Sequence, residues 1–518
     1  MNRISLLAAA GLCIAAGAHA SVHVRAHAHA HEKTAETPGC EHESPQQCIT
    51  AALEAMGGRE RLQQVTNVRL QTVGHTLLME QSYRQSPFIA SYERGQTIID
   101  LANQRLLAES KLTWPESDPN QSDSDTTMVA GPDGGVYHTP FGDSPCSLGD
   151  LDASREALAL GPARILLTAA GASDLHYEAP QTLRSTSHAV VAFSWRHIPV
   201  RVLLNPFNHL PDAVETTQVF HDFWYFWGDV RQRIHFDNWK LVEGISYPTD
   251  LVEERNGEVW RSTQALNVEF NVPLDEKAFE MNAGAAKQSA ASPGWNRPFN
   301  VKQATTLAPG IDLFAGSWNS TIVKEPDGVV ILEAPISGQY TQGVIREARK
   351  RYPGRPISAV LSTSDSWPHT GGVRSAVAQH LPVYILDLNQ PLLDRMMSAP
   401  HTIEPDALQK SKDSKVRWKV VAGKLELGGG ANRMELYPLR GASTERQYMI
   451  YFPERHLLYA SDTLALNDDG SLYDPELMYE VSQAVKRENL IVDTVFAMHQ
   501  GPMPWEQVMA LIEKSRHT

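Results

Sequence analysis

The sequence predicts an α+β protein in two parts, a mostly antiparallel, strongly curved β-sheet domain followed by a layered α/β domain. Three observations carry this reading. Apolar and polar residues alternate with period two in a long series of short runs, among them Val68-Arg-Leu-Gln-Thr-Val, Ala189-Val-Val-Ala-Phe-Ser-Trp, Arg201-Val-Leu-Leu and Glu258-Val-Trp-Arg-Ser-Thr. Pro, Gly and Asn punctuate them, as strand-rich chains require. Residues 282–298 are small, polar and without period, which reads as an interdomain linker. From Phe299 onward the texture changes, and strand-like runs alternate with helical patterns.

The chain has 518 residues and a formal net charge of -14. No block of Lys and Arg exists, so nucleic acid is not an expected partner. Residues 1–20 read as a secretory signal: Asn2-Arg3, an apolar stretch from Ile4 to Ala16, then Ala18-His19-Ala20. The stretch is too short to span a bilayer, and no other segment is apolar enough to do so. Leu12 before Cys13 is too large for a lipoprotein signal. The expectation is export to the periplasm or beyond, with cleavage after Ala20. Of the remaining cysteines, Cys40 and Cys48 are close enough in sequence to close a short loop, leaving Cys146 unpaired, but an odd count leaves the connectivity open.

Residues 21–45 form a leader in which His23, His27, His29 and His31 alternate with small residues. Such a tail either captures metal or is simply a polar leader of biased composition. The β-rich region spans 46–281. It opens with a helical pattern from Cys48 to Met56, ended by Gly57-Gly58, and a second short helix from Arg59 to Gln64. Inside it, Phe220-His221-Asp222-Phe223-Trp224-Tyr225-Phe226-Trp227 is unusually aromatic. Two readings stay open, sheet core or the wall of a pocket for a lipid-like ligand. His221 and His235 read as isolated structural histidines. The Gly-Gly helix opening and the strand spacing resemble the half-barrel of periplasmic lipoprotein carriers.

The region 299–518 is organised around Val360-Leu-Ser-Thr-Ser-Asp-Ser-Trp-Pro-His-Thr-Gly-Gly372. An apolar run stops at a polar loop, and the loop closes on His-Thr-Gly-Gly before a helical stretch. A strand, a turn and a helix start form a common setting for a site in a layered domain. Together with Glu333-Ala-Pro, Met434-Glu-Leu-Tyr-Pro-Leu, Leu457-Leu-Tyr-Ala-Ser-Asp and Ala497-Met-His-Gln-Gly-Pro, this segment resembles the metallo-β-lactamase superfamily. The resemblance implies an αββα sandwich, two sheets between helices. It also implies a paired metal site of His and Asp ligands that lowers the pKa of a bound water.

Laid on the family's H-x-H-x-D-H motif, this chain carries Ser364, Ser366, Pro368 and His369. The third histidine of the first metal site falls at Ser443. A hydroxyl is a poor zinc ligand beside imidazole, so the resemblance implies that the first site is absent. The second site keeps His369, Asp462 in the bridging position and His499, at spacings of 93 and 37 residues. Gln500 is an alternative to His499 in that alignment. Two His and one carboxylate suffice for a single zinc or iron ion.

Two functions follow. One is an exported single-metal hydrolase of an ester or lactone, with His369 and Asp462 catalytic, His369, Asp462 and His499 holding the ion, and Ser364, Ser366 and Ser443 lining a substrate or anion pocket. The other is a catalytically inactive pseudo-hydrolase, a periplasmic binding protein for an apolar or envelope-derived ligand. In that case His369, Asp462 and His499 form a metal-free cluster.

Overall fold

The computed structural model describes residues 37–78, 88, 90–113, 124–140, 142–292, 294–301, 303–316, 318–411 and 415–516. The signal segment and the leader histidines lie outside them. Among the described residues, no helix is long and apolar enough to cross a membrane.

The period-two runs pair into one thirteen-stranded antiparallel sheet between Asn67 and Phe270. Its centre joins the first strand, Asn67–Leu77, to the last, Glu258–Phe270, and its edges are Gly142–Pro145 and His176–Leu183. Helix Pro45–Ala55 begins at Ser44, whose side chain and that of Gln47 cap each other's amides. That helix, Arg59–Gln63 and Ile165–Ala170 bury Ile49, Leu53, Leu62 and Ile165 against sheet residues such as Val191, Val202 and Phe236. Burial of each such side chain contributes about 1.5–3 kcal/mol. Cys40 and Cys48 form a disulfide, and Cys146 is free and buried.

Residues 282–298, expected as a linker, carry the helix Ala283–Ala290. Asn282 caps it by accepting from the amides of Gly284 and Ala285, and Ala286 and Ser289 are buried. Small residues let this helix lie close against the strand Gly134–Thr139, where a side chain at Gly134 would strike the Ala286 carbonyl. The described residues all belong to one compact unit.

Beyond Phe299 two sheets stack. The seven-stranded sheet runs in chain order from Thr305–Ala308 to Trp418–Val421, and its strands become parallel from Val329–Leu332 onward. The six-stranded sheet runs from Leu425–Leu427 to Met503–Pro504. Ile311, Val330 and Leu361 of the first sheet meet Leu436, Ile450 and Phe496 of the second in a dry core. Helix Gly338–Arg351 covers the outer face of the first sheet, and helix Pro475–Arg487 covers that of the second.

Candidate functional site

Four strand ends converge at one edge of this sandwich. Glu333 follows Val329–Leu332, residues 362–369 follow Ile357–Leu361, Ser461 and Asp462 follow Leu457–Tyr459, and His499 lies just beyond Thr494–Phe496. The first two strands are parallel to each other, as are the last two, so each pair delivers its carboxyl ends to the same side. Three non-glycine residues take positive φ there: Glu333 at 72°, Ile336 at 62° and Ser461 at 57°. Such conformations cost about 1–3 kcal/mol each and persist where the surroundings enforce them. The Glu333 amide donates to the Leu361 carbonyl at 2.8 Å, and the Ser461 carbonyl accepts from the Met498 amide at 3.0 Å. The glycines of His-Thr-Gly-Gly allow close packing, because a Cβ on Gly372 would lie 1.9 Å from Thr341 Oγ1.

The side chains form a continuous polar chain. Glu333 Oε2 lies 2.9 Å from His369 Nδ1, and His369 Nε2 lies 3.4 Å from Asp462 Oδ1. Asp462 Oδ1 in turn lies 2.6 Å from His499 Nε2. Exposure rises along the chain from 0% at Glu333 and His369 to 20% at Asp462 and 30% at His499. The other oxygen of Glu333 accepts from Tyr459 Oη at 2.9 Å and from the Thr363 hydroxyl, which also contacts Ser461 Oγ at 2.7 Å. Burial opposes a charge on His369, yet the carboxylates of Glu333 and Asp462 outweigh it and raise the imidazole to about 10. Burial likewise opposes charge on Asp462, and His369 and His499 override it, holding this carboxyl well below its ordinary range. The acidic side chains beside its two ring nitrogens thus favour the protonated form of His369.

These residues do not fit the ion that the family resemblance implies. Ligand atoms bound at about 2.0–2.2 Å to one centre cannot be more than about 4.4 Å apart. Among the described residues, no three His, Cys, Asp or Glu here bring one ligand atom each within 4.8 Å of one another. His369 Nδ1 faces Glu333 Oε2 at 2.9 Å, which leaves Nε2 as its nitrogen toward Asp462. The catalytic and metal candidates His369, Asp462 and His499 are thus brought together, but in a row of close contacts rather than around one centre.

The three serines are not gathered in the same way. Ser364 and Ser366 are buried in the loop, with Ser364 Oγ accepting from the Ser366 amide at 3.2 Å. Ser443 lies elsewhere in the hydrogen-bond pattern, its amide taken by the Glu480 carboxylate at 3.1 Å. A carboxylate at that point opposes a bound anion.

Sequence reasoning missed the partners. Asp365, between the two serines, is buried and ion-paired to the equally buried Arg446. Burial raises the Asp365 carboxyl to about 6, against the pull of Arg446. Arg446 also donates to the Leu388 carbonyl at 3.0 Å, and the Tyr448 amide donates to the Thr363 carbonyl at 3.0 Å, so the loops of the two sheets are laced together. A charged residue at the end of an apolar run, as in Val329-Val-Ile-Leu-Glu333, was the available signal for Glu333.

The aromatic segment covers this site. Phe223–Trp227 is a short 3₁₀ helix, not a strand, capped by Asp222, whose carboxylate accepts from the Trp224 amide at 2.8 Å. Phe223 stacks on Trp367 with centroids 6.4 Å apart, and Trp367 contacts Trp318, which meets the His499 ring at 6.2 Å. His221 pairs with Asp152 at 2.7 Å and His235 with Glu254 at 3.2 Å, and neither contacts His369, Asp462 or His499 in these pairs.

A separate, half-open pocket of about 360 Å³ lies in the β-rich region. Leu151, Leu158 and Ala159 of helix Leu148–Leu160 line it together with Trp195 and Arg196, and with Arg155, whose guanidinium pairs with Asp152 at 2.8 Å.

No protein-family model matches the chain, and no curated protein matches it. Among solved structures, the metallo-β-lactamase DIM-1 is similar over 41% of this chain and 97% of its own, at 15% identity and a TM-score of 0.33. TMB-1 is similar over 41% of this chain and 98% of its own, at 14% identity and a TM-score of 0.32. The inverting sec-alkylsulfatase Pisa1 from Pseudomonas sp. is similar at 13% identity and a TM-score of 0.31. Here the chain matches 40% of the sulfatase's length, with 41% of its own covered.

Proposed function

We propose that this chain is an exported, metal-independent binding protein, a pseudo-hydrolase on a metallo-β-lactamase-like αββα scaffold preceded by a β-sheet domain. The observation supporting it is His369, enclosed at 0% exposure with Glu333 2.9 Å from one ring nitrogen and Asp462 3.4 Å from the other. A buried imidazolium supplies there the positive charge that an ion supplies in a metallohydrolase, but it provides no open coordination position for water. The ligand is small and lipid-like, seated in the pocket beside Leu158 and Trp195, where Arg196 suits an anionic head. The test is binding of a fluorescent fatty acid to the full chain and to Ala159→Trp, which fills the cavity. Saturable binding that the substitution abolishes supports the reading, and unchanged binding contradicts it.

One observation favours a second reading. The 3.4 Å contact of His369 Nε2 with Asp462 lacks hydrogen-bond alignment, so this buried nitrogen has no hydrogen-bond partner. A shift of His369 or His499 would be needed for zinc or iron to sit among His369, Asp462 and His499. Hydrolysis of an ester or lactone that is lost on chelation and restored by zinc or iron would establish that reading over the first.

A further inference from the structure

The disulfide Cys40–Cys48 encloses a short loop with Glu43 at its middle. A carboxylate oxygen of Glu43 and both sulfurs lie within 4.8 Å of one another. Both cysteines are buried, at 1% and 0% exposure, and Glu43 Oε2 is buried with no hydrogen-bond partner. A carboxylate beside two sulfurs, with one of its oxygens buried and without a donor, is unusual for a purely structural crosslink.

The loop is fixed from several sides. The Glu43 amide donates to the Cys40 carbonyl at 3.2 Å, and the Cys48 amide donates to the Ser44 carbonyl at 3.0 Å within the first turn of helix Pro45–Ala55. Tyr177 Oη donates to the Glu43 carbonyl at 3.2 Å from the sheet. The two cysteine Cα atoms are 5.6 Å apart, a spacing that also lets two thiolates reach one ion.

We propose that reduction of this disulfide converts the loop into a site for a thiophilic divalent cation such as zinc, with Cys40, Cys48 and Glu43 as its protein ligands. A dithiol reductant transfers two electrons and two protons to the disulfide, leaving Cys40 and Cys48 as thiols and the reductant as its own disulfide. The cation then binds as two metal–sulfur bonds form and the two thiol protons leave to solvent. The Glu43 carboxylate takes a third position and water the fourth. The oxidised loop offers no thiolate and does not bind. The site is independent of the ligand cavity and of the His369 cluster.

The test uses Co²⁺ as a spectroscopic probe on the full chain, with His23, His27, His29 and His31 replaced by Ala in every sample so that the leader does not compete. After reduction, one Co²⁺ per chain is expected, with a sulfur-to-cobalt charge-transfer band that zinc abolishes. Oxidised protein and Cys48→Ser give no such band. Loss of even an outer partner of a metal ligand weakens binding 10–100-fold, so Glu43→Gln, which retains the disulfide and the fold, weakens Co²⁺ binding by at least about tenfold. Absence of the band in reduced protein, or Glu43→Gln binding within about twofold of the parent, overturns the proposal. Should reduction alone lower the thermal transition, zinc restores it, and failure to do so counts equally against the site.

Discussion

Glu333 Oε2 and His369 Nδ1 lie 2.9 Å apart with neither side chain exposed to solvent. Glu333 directly follows the strand Val329–Leu332, and His369 sits in the short helix Trp367–Thr370 that the loop after the adjacent parallel strand Ile357–Leu361 leads into. A second buried pair, Asp365 with Arg446, ties the same loop to the opposite sheet. These two buried pairs hold together the loops at this end of the two sheets.

Removing the imidazole leaves Glu333 buried and Asp462 partly buried, with no counter-charge between them. Breaking a buried ion pair from one side costs about 3–5 kcal/mol, and His369→Gln is expected to lose stability in that range by denaturant unfolding. His499 is 30% exposed, so His499→Ala is expected to lose no more than about 1 kcal/mol. Equal effects from the two substitutions would contradict this arrangement.

The same pair sets a pH dependence. His369 is raised to about 10 in the folded protein, above the unfolded imidazole at about 6.5. Its contribution is fully present below about pH 6.5 and is lost as pH rises through about 10. The stability difference between the parent and His369→Gln should therefore shrink steadily from pH 6.5 to 10. A difference that is constant or grows over that range would show that the imidazole is neutral.

Arg446→Met strands Asp365, already strained by burial, and is expected to cost about 3–5 kcal/mol. Adding Asp365→Leu removes the stranded carboxylate and should recover most of the loss, because an apolar pair of similar volume replaces a buried ion pair at little cost. Additive losses in the double variant would mean that the two residues act separately.

Much of the architecture is legible in the sequence because periodicity reports burial directly: the period-two runs became paired strands, and the apolar runs before Glu333 and Ser362 became parallel ones. His369, Asp462 and His499 were legible as a group through the motif. Their geometry was not, since it depends on a carboxylate 36 residues upstream of His369 reaching it across a sheet. The segment Phe220–Trp227 misled for a physical reason: aromatic residues favour strands on average, but Asp222 starts a helical turn and the rings cover Trp367. Ala283–Ala290 lacks large apolar residues, so its helix gave no period to read.

The most direct test of the central claim is metal content. The full chain, oxidised, with the four leader histidines replaced by Ala, is equilibrated with zinc or iron, freed of unbound ion and analysed by elemental mass spectrometry. The row of Glu333, His369, Asp462 and His499 predicts no stoichiometric metal and a thermal transition that a chelator leaves unchanged. About one ion per chain, lost in both His369→Ala and Asp462→Ala, would contradict it and establish a single-metal centre.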